Sequence, residues 1–554
     1  MTALSSAEPL VEISGLRVTY RTETGAEVAA VRGVDLTLEA GQCVALVGES
    51  GSGKSSVGRS LLGLAGRRAR VEAERFRLLG RDAAGFDERD WRGVRGRQVG
   101  LVPQDPLTAL DPLRRIGDEI GEAVRLHHDL SRGRVRERVH ELLERVHMPD
   151  PEMRARQYPH ELSGGQRQRA LIAATLAGDP RILVADEPTA SLDVTVQAAL
   201  LDLLAELKAR GTPILLISHD LGVVARLADH VSVLQNGAVV ESGPIERLLA
   251  EPRHPYARTL IEAVPRIDAP TREHPAAANA GNTEGAEPIL AAAGLTKSFR
   301  APDGTPRRAL RAVDFAVRPG ESVGVAGESG SGKTTLVRLL LGLTEPDGGP
   351  EGGRVLIDGR GWRELDRRER LEVRSGVQWV PQDPLGSFDP GHTVGRVLSE
   401  ALTVAWVPRR ERPDRVAGLL AEVGLSAELR RRRPIELSGG QRQRVAIARA
   451  LAPGPRVLLC DEPVSALDVT VQAQVLDLLE GLRRDLGLAL VFVSHDLAVI
   501  RRLCERVVIL ADGRVVEEGP TARVLDAPAH CVTRALVDAV PRLTTRRGAP
   551  EAAA

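Results

Sequence analysis

The stretch "GESGSGKSS" at Gly48–Ser56 decides the fold of the first part of the chain, and it returns as "GESGSGKTT" at Gly327–Thr335. Each copy follows a short apolar run and precedes a helical segment, and each contains the pattern Gly-x4-Gly-Lys-Ser/Thr. A loop of this kind turns its backbone N–H groups inward around a phosphate, and the helix that follows adds the positive end of its dipole. One copy alone could be a glycine-rich turn with an incidental lysine. Two copies in the same setting predict two phosphate-binding loops.

The side chains of the two loops have separate predicted tasks. Lys54 and Lys333 are expected to neutralise charge on the β- and γ-phosphates of a nucleotide, and Ser55 and Thr334 to offer a hydroxyl to Mg²⁺. The chain has only four lysines, and two of them stand here. The predicted ATP-binding loops are Gly48, Glu49, Ser50, Gly51, Ser52, Gly53, Lys54, Ser55 and Ser56, and Gly327, Glu328, Ser329, Gly330, Ser331, Gly332, Lys333, Thr334 and Thr335.

Other stretches recur in the same order and at nearly the same offset. Lys333 lies 279 residues after Lys54, and Ser438 of a second "ELSGGQRQR" lies 275 residues after Ser163 of the first. The stretches "VPQDPL", "DEP" and "SHDL" also occur twice. A repeat of this length holds its own core, and 554 residues are too many for one core, so two homologous domains are expected.

The predicted boundaries follow from composition. We expect a first domain over residues 8–264, a flexible linker over 265–288, a second domain over 289–542 and a disordered tail over 543–554. The linker segment is rich in Pro, Ala, Gly and Asn and has no apolar period.

Continuous apolar runs indicate the fold class. "CVALVG" at Cys43–Gly48, "RILVADEP" at Arg181–Pro188 and "PILLISHD" at Pro213–Asp220 have counterparts in the second half. Such runs are typical of strands buried on both faces, and here they alternate with helical segments. The sequence therefore predicts an α/β fold with a mostly parallel sheet in each domain.

Composition narrows the class of protein. The formal net charge is zero, so nothing indicates binding to nucleic acid. The four cysteines lie far apart, which predicts neither a zinc site nor a disulfide framework. The N-terminus lacks the pattern of a signal peptide, and no apolar run reaches the roughly 18 residues that span a bilayer. We expect any connection to a membrane to go through a partner.

Acidic residues end two of the apolar runs. Asp186 and Asp461 stand where a carboxylate holds the Mg²⁺ shell, and Glu187 and Glu462 follow, placed to polarise an attacking water. The alternative is a pair of solvated carboxylates in a surface turn. The apolar residues before each pair argue against it, since a surface turn would not need them.

Paired His and Gln residues add to the two sites. His219 and His495 follow the next strand, where an imidazole can bond the γ-phosphate; singly, each would more often be structural, but their matched offsets favour function. Gln104 and Gln382 lie in "PQDP" loops, where an amide can reach water or metal or can belong to a solvated turn. Only their place in the series favours a catalytic or Mg²⁺-binding role.

Two aromatic residues occupy matching points before the loops. Tyr20 ends "LRVTY" and Phe299 ends "LTKSF". Aromatic residues make up only 2% of the chain, so the pairing indicates a stacking platform for adenine. A core aromatic residue is the alternative at both positions.

The complete motif set, including "LSGGQ", resembles the nucleotide-binding subunit of ATP-binding cassette transporters over nearly the whole chain. The resemblance implies cassettes with helical subdomains that close head to tail within one chain, with each ATP between the phosphate-binding loop of one and the signature of the other. It implies two active sites, with Asp193 and Asp468 communicating across the interface. The signature residues are Ser163, Gly164, Gly165 and Gln166, and Ser438, Gly439, Gly440 and Gln441.

The segment after each cassette refines the resemblance. "HPYARTLIEAVPR" at His254–Arg266 is similar to the tails of oligopeptide and dipeptide importers. The second tail, "HCVTRALVDAVPR" at His530–Arg542, departs from it, with Cys531 and Val532 in place of Pro255 and Tyr256. No tail cysteine cluster is present, so no iron–sulfur centre is predicted.

The resemblance further implies a setting for the chain. It implies ATP and Mg²⁺ as cofactors, with two transmembrane permease subunits as partners and an extracellular solute-binding protein acting through them. The chain is expected at the cytoplasmic face of a bacterial membrane. The permease subunits are expected to contact its segments 107–159 and 385–434. A fused-cassette sugar importer and a permease-free tandem translation factor are the alternatives. Neither the solute nor the direction of transport follows from the sequence.

Overall fold

The computed structural model describes residues 8–22, 25–190, 192–269, 287–300, 305–347, 353–362 and 364–543. Most of the predicted linker and nearly all of the predicted tail lie outside these ranges. We call residues up to 269 the first repeat and residues from 287 the second repeat.

The elements of the first repeat follow one another in α/β order. Its strands are β1 (Val11–Arg21), β2 (Glu27–Leu38), β3 (Cys43–Val47), β4 (Ala69–Glu72), β5 (Arg75–Leu78), β6 (Arg81–Asp82), β7 (Val99–Val102), β8 (Ile182–Asp186), β9 (Ile214–Ile217), β10 (His230–Gln235) and β11 (Ala238–Pro244). Its α-helices are α1 (Lys54–Ser60), α2 (Glu88–Val94), α3 (Pro106–Ala109), α4 (Ile116–His127), α5 (Arg132–Arg145), α6 (Pro151–Ala155), α7 (Gly164–Leu176), α8 (Val194–Ala209), α9 (Leu221–Leu227), α10 (Ile245–Ala250) and α11 (Pro255–Ala263).

The second repeat reproduces this order. Its strands are β12 (Leu290–Arg300), β13 (Pro306–Val317), β14 (Ser322–Ala326), β15 (Arg354–Ile357), β16 (Arg360–Gly361), β17 (Val377–Val380), β18 (Val457–Asp461), β19 (Ala489–Val493), β20 (Arg506–Ala511) and β21 (Arg514–Pro520). Its α-helices are α12 (Lys333–Leu340), α13 (Arg367–Gly376), α14 (Val394–Val404), α15 (Arg412–Glu422), α16 (Gly439–Leu451), α17 (Val469–Leu486), α18 (Leu497–Leu503), α19 (Thr521–Asp526) and α20 (Cys531–Ala539). Short 3-10 helices span Pro159–Glu161, Leu385–Ser387, Ala427–Arg431 and Pro434–Glu436.

A six-stranded sheet forms the centre of each repeat. The strand order is β11-β10-β3-β9-β8-β7 in the first repeat and β21-β20-β14-β19-β18-β17 in the second. All neighbours pair in parallel except the outer hairpins β10–β11 and β20–β21. Every residue of β3, β8 and β9 is buried, because helices cover both faces of the sheet. The predicted fold class, α/β with a mostly parallel sheet, is confirmed.

An antiparallel sheet, which the apolar runs did not predict, lies beside each central sheet. Its order is β2-β1-β5-β6 in the first repeat, with β4 also on β1, and β13-β12-β15-β16 in the second. Its apolar face, which includes Ile13 and Leu36, shares one core with Val57 and Leu61 around helix α1 and with Ile217 of the central sheet. Helix α1 is therefore held between two sheets, which fixes the loop that precedes it.

Helices α4 to α7 form a helical subdomain in the first repeat, and α14 to α16 form its counterpart. Helix α4 buries Ile116, Ile120 and Val124 at helical spacing, and α5 buries Val135 and Val139 against them. Helices α7 and α16 begin within the two "LSGGQ" motifs. Along the described ranges, no helix combines the length and apolar character that a membrane crossing requires.

The last helix of each repeat packs against the other repeat. Helix α11 contacts α17, and α20 contacts α8. The exchange is reciprocal, so each tail helix belongs to one repeat in sequence and contacts the other repeat in space.

Candidate functional site

Both phosphate-binding loops depend on glycines for their backbone path. Gly48 has φ +149°, and a Cβ atom there would lie 2.2 Å from the carbonyl oxygen of Leu234. Gly53 has φ +102°, and a Cβ atom would lie 2.3 Å from the oxygen of Ala30. Since no other residue tolerates both the angle and the contact, glycine is required at each end of the loop.

The loop lysines point into the loops. Lys54 Nζ donates to the carbonyl oxygens of Gly48 at 2.7 Å and Glu49 at 2.9 Å, and Lys333 makes the same two bonds in its own loop. Both ammonium groups are nearly buried. Burial lowers the pKa of Lys54, while the carboxylates of Glu187 and Asp186 act in the opposite direction. The ammonium group of each lysine therefore lies inside its loop, where a bound phosphate would neutralise its charge.

A hydroxyl and a carboxylate meet beside each lysine. Ser55 Oγ donates to Asp186 Oδ1 at 2.9 Å, and Thr334 Oγ1 lies 3.5 Å from Asp461 Oδ1. Burial raises the pKa of both aspartates, and the neighbouring glutamate adds to this. These hard oxygen donors fit Mg²⁺, which prefers a few carboxylate or hydroxyl ligands with phosphate and water completing its shell.

The structure brings together the predicted catalytic residues of the first site. Gln104 Nε2 donates to Glu187 Oε2 at 2.8 Å, and His219 Nδ1 lies 3.2 Å from Glu187 Oε1. Glu187 has φ +48°, a left-handed conformation that non-glycine residues adopt at a cost of roughly 1 to 3 kcal/mol. This conformation occurs directly after strand β8, at the residue whose carboxylate contacts these partners.

Glu187 and His219 shift each other's pKa. Burial favours neutral forms of both, but the hydrogen bond and charge of His219 outweigh it and lower the pKa of Glu187. For His219 burial is again opposed by the bond and charge of Glu187, and its pKa is raised. Both shifts favour the ion-paired form of Glu187 and His219.

The second site has the same arrangement. Gln382 Nε2 donates to Glu462 Oε2 at 3.0 Å, and His495 Nδ1 lies 3.3 Å from Glu462 Oε1. Glu462 has φ +46°, close to the value of its counterpart. The pKa shifts of Glu462 and His495 have the same directions as in the first site. Neither site has lost a predicted catalytic side chain.

The two matched aromatic residues differ in their surroundings. Tyr20 is half-buried against the core around helix α1, and its hydroxyl lies 3.1 Å from Ser56 Oγ. Phe299 is 46% exposed and lines the cavity above the second loop, with Lys297 Nζ 5.7 Å from its ring centre. Phe299 is thus exposed at the cavity, whereas Tyr20 belongs partly to the core, and the stacking role of both residues stays a prediction.

The signature motifs form helix N-termini. Ser163 Oγ accepts from the Gln166 amide, and Gln166 Oε1 accepts in return from the Ser163 amide. Ser438 and Gln441 form the same reciprocal cap. A Cβ atom at Gly165 would lie 2.3 Å from Val196, so glycine is needed where helix α7 crosses the start of α8. Helix α7, which begins in the signature, therefore packs closely on helix α8, the helix that follows "DEP".

Residues from opposite repeats meet at both loops. Asp193 of the first repeat lines the cavity of about 560 Å³ above the second loop, together with Lys333, Glu462 and His495. Thr470 of the second repeat donates to Glu49 Oε1 of the first loop at 2.7 Å. The hydroxyl of Thr470 also lies 2.9 Å from Asp468, and its single hydrogen serves one carboxylate at a time.

A smaller cavity of about 150 Å³ lies between the two "SHD" segments. Asp220 and Asp496 both line it, and burial raises the pKa of Asp496, with a further contribution from the charge of Asp220. These aspartates are not among the site residues predicted from the sequence. Their recurrence directly after His219 and His495 was the available signal.

The fold and these loops define a pair of P-loop ATPase cassettes. Residues 31–190 and 310–465 match the ABC transporter family, and residues 240–289 and 516–553 match the C-terminal region of oligopeptide/dipeptide transporters. The chain belongs to the ABC transporter family and is an ATPase of that class.

Two curated relatives resemble the chain along almost its whole length. It is 40% identical over 555 residues to the glutathione import ATP-binding protein GsiA of Escherichia coli O157:H7, covering 95% of this chain and 88% of that protein. It is 42% identical over 546 residues to the peptidoglycan transport ATP-binding protein YejF of Agrobacterium fabrum, covering 97% of each.

A solved structure shares the tandem fold. It is the archaeal ribosome recycling factor aABCE1 in complex with the ribosomal stalk protein aP1, with a TM-score of 0.59 over 91% of this chain and 90% of that one. The identity is 21%, so this likeness concerns the fold alone.

Proposed function

We propose that the chain powers the import of peptides or related solutes by hydrolysing ATP at two composite sites, each built from both repeats. The observation that carries the proposal is the position of Asp193, a first-repeat residue that lines the cavity of Lys333. The bond from Thr470 to Glu49 supports the same pairing at the other loop. Both contacts support a site with one wall from the opposite repeat.

ATP would bind with its phosphates in the loop, where Lys54 gives up its two carbonyl contacts for phosphate oxygens. Ser55 and Asp186 would hold Mg²⁺, which supplies positive charge to the β- and γ-phosphates. Glu187 would accept the proton of the attacking water, since its lowered pKa keeps it ionised near neutral pH. Lys333, Thr334, Asp461 and Glu462 would have the same tasks in the second site.

Nucleotide must rearrange the contacts around Glu187. Both of its oxygens are engaged, one by Gln104 and the other by His219. A γ-phosphate would draw the imidazolium of His219 toward itself and release one carboxylate oxygen for a water. Gln104 would remain as the group that orients water or metal.

The opposite signature would complete each site. We infer that Ser163 and the first-turn amides of Gly164 and Gly165 bind the γ-phosphate held by Lys333, because a helix N-terminus favours an anion. Ser438, with the glycines that follow it, would do the same for the first site. ATP would then hold the repeats closed, and hydrolysis would release them, a population shift driven by the ligand.

The relatives suggest the cargo. Their names state glutathione import and peptidoglycan transport, and both cargoes contain peptide. We propose two permease subunits on segments 107–159 and 385–434, a solute-binding protein outside the cell, and a place at the cytoplasmic face of a bacterial membrane. We also propose that the two cassettes span residues 8–264 and 289–542. We propose no nucleic-acid partner.

The alternatives have less support. A tandem translation factor rests only on the fold shared with the recycling factor. A sugar importer is disfavoured by the C-terminal regions, which match those of oligopeptide/dipeptide transporters.

Uptake in cells that lack the chain tests the proposal. Uptake of labelled dipeptides, tripeptides or glutathione should fall to background and return with the wild-type chain, but not with Glu187→Gln plus Glu462→Gln. Uptake of a labelled sugar serves as the control and should not change. Loss of sugar uptake alone, or recovery of the chain with ribosomes rather than membranes, would refute the proposal.

A further inference from the structure

The tail of the first cassette contacts the first phosphate-binding loop. Tyr256, the second residue of helix α11, is 8% exposed, and its hydroxyl accepts a hydrogen bond of 3.0 Å from the backbone N–H of Glu49. Glu49 is the second residue of the loop, and its carbonyl oxygen also binds Lys54. The tail hydroxyl therefore bonds the Gly48–Glu49 peptide unit, whose carbonyl oxygen also accepts from Lys54, and the next peptide unit accepts from the same lysine.

The same loop residue contacts the second cassette. Glu49 accepts from Thr470 at the start of helix α17, and helix α11 packs against α17. The backbone amide of Glu49 donates to the tail of its own repeat, and the carboxylate of Glu49 accepts from the opposite repeat. The first loop, the first tail and the second cassette thus meet at Glu49.

The second tail keeps the scaffold of this contact but lacks the hydroxyl. In the first tail the carboxylate of Glu241 accepts from the backbone of His254, whose imidazole caps the Tyr256 amide at 3.2 Å. In the second tail Glu517 accepts from the backbone of His530, whose imidazole caps the Val532 amide at 3.2 Å. The helix is placed in the same way, but Val532 has no group that can accept from a loop amide.

We propose that Tyr256 is a positioning residue that pre-organises the first ATP site and makes the two sites unequal in their dependence on the tail. The inference rests on the proposed function, since it requires ATP in the loop of Lys54. A loop that is already ordered loses less entropy on binding, and a buried amide left without a partner opposes the bound arrangement. Loss of the tyrosine hydroxyl should weaken nucleotide binding at the first site about 3- to 10-fold.

The test isolates one loop at a time in the full chain. Lys333→Ala disables the second loop and Lys54→Ala the first, and Tyr256→Phe is introduced into each background. Binding of a fluorescent non-hydrolysable ATP analogue is then titrated. Tyr256→Phe should raise the dissociation constant in the Lys333→Ala background and leave it unchanged in the Lys54→Ala background. Val532→Ala, the matched change in the second tail, should leave the first site unchanged.

Two outcomes would overturn the inference, and a third would overturn the proposed function. Equal weakening in both backgrounds would mean a general loss of stability and would contradict the inference, as would an unchanged dissociation constant at the first site. If Lys333→Ala with an intact tail binds no analogue, the proposed ATP site itself is wrong. A thermal unfolding curve for each variant shows whether the fold is retained, and Tyr256→Phe keeps the buried ring.

Discussion

Thr470 and Glu49 come from opposite repeats, and the hydroxyl of Thr470 donates to the carboxylate of Glu49 at 2.7 Å. Glu49 belongs to the first phosphate-binding loop, and Thr470 stands at the second position of the helix capped by Asp468. A substitution in the "ALD" segment of one repeat should therefore alter the phosphate-binding loop of the other repeat.

Removal of that hydroxyl should weaken the first site. Thr470→Val keeps the side-chain shape but loses the donor, and we expect about 3- to 10-fold weaker analogue binding in the Lys333→Ala background. Thr470→Ser retains a hydroxyl and should restore most of the affinity. Thr195→Val is the matched control, because Thr195 bonds Asp193 within its own repeat. A loss of the same size from Thr195→Val at the first site would count against the specific contact.

Removal of both predicted general bases should stop turnover but not binding. Glu187→Gln with Glu462→Gln keeps the side-chain size and removes the proton acceptor, so ATP hydrolysis should fall by about 100-fold or more. Release of phosphate measures turnover, and equilibrium binding of ATP serves as the control. Undiminished hydrolysis would show that neither glutamate is catalytic.

The two Glu–His pairs predict a pH dependence of stability. The folded-state pKa of His219 and His495 is raised above the ordinary value of 6.5. A group with a raised folded-state pKa stabilises the chain fully below its unfolded pKa, and this contribution disappears as the pH rises through the folded value. His219→Gln with His495→Gln should therefore lower the melting temperature of the nucleotide-free chain most at about pH 6 and least at about pH 9. A constant difference across this range would contradict the pairing.

The close approach of helices α7 and α8 predicts a clash. Gly165→Ala places a Cβ atom 2.3 Å from Val196, and overpacking of this kind costs about 1 to 3 kcal/mol. Val196→Ala in the same chain should recover most of the lost stability. Gly164→Ala, whose Cβ would meet Leu192 at an ordinary 3.9 Å, is the control. Thermal unfolding measures all three, and equal loss from both glycines would refute the steric account.

Local sequence patterns predicted the parts of the fold and of the candidate site that depend on neighbouring residues. Buried strands such as β3 are continuous apolar runs, so the parallel sheet was foreseen and is confirmed. The side chains that surround Glu187 were predicted from recurrence, and the structure places them within hydrogen-bond distance. Their catalytic roles stay predictions.

The parts that were missed depend on long-range contacts. Strand β1 buries Val11 and Ile13 and then Leu16 and Val18, so its period of two slips by one residue where the register against β2 shifts, and the periodic signal breaks in mid-strand. Tyr256 contacts a loop residue more than two hundred positions away, and no local pattern specifies such a pair. The sequence shows valine at position 532 where the first tail has Tyr256, but the consequence of this difference follows only from the contact with Glu49.

Occlusion of ATP with exchanged signatures tests the central claim, that each site is built from both repeats, most directly. In the chain with Glu187→Gln, Glu462→Gln and Lys333→Ala, only the Lys54 loop can trap labelled ATP. We predict that Ser438→Arg abolishes trapping in this background, while the matched Ser163→Arg leaves it intact. Loss of trapping with Ser163→Arg and its retention with Ser438→Arg would contradict the account.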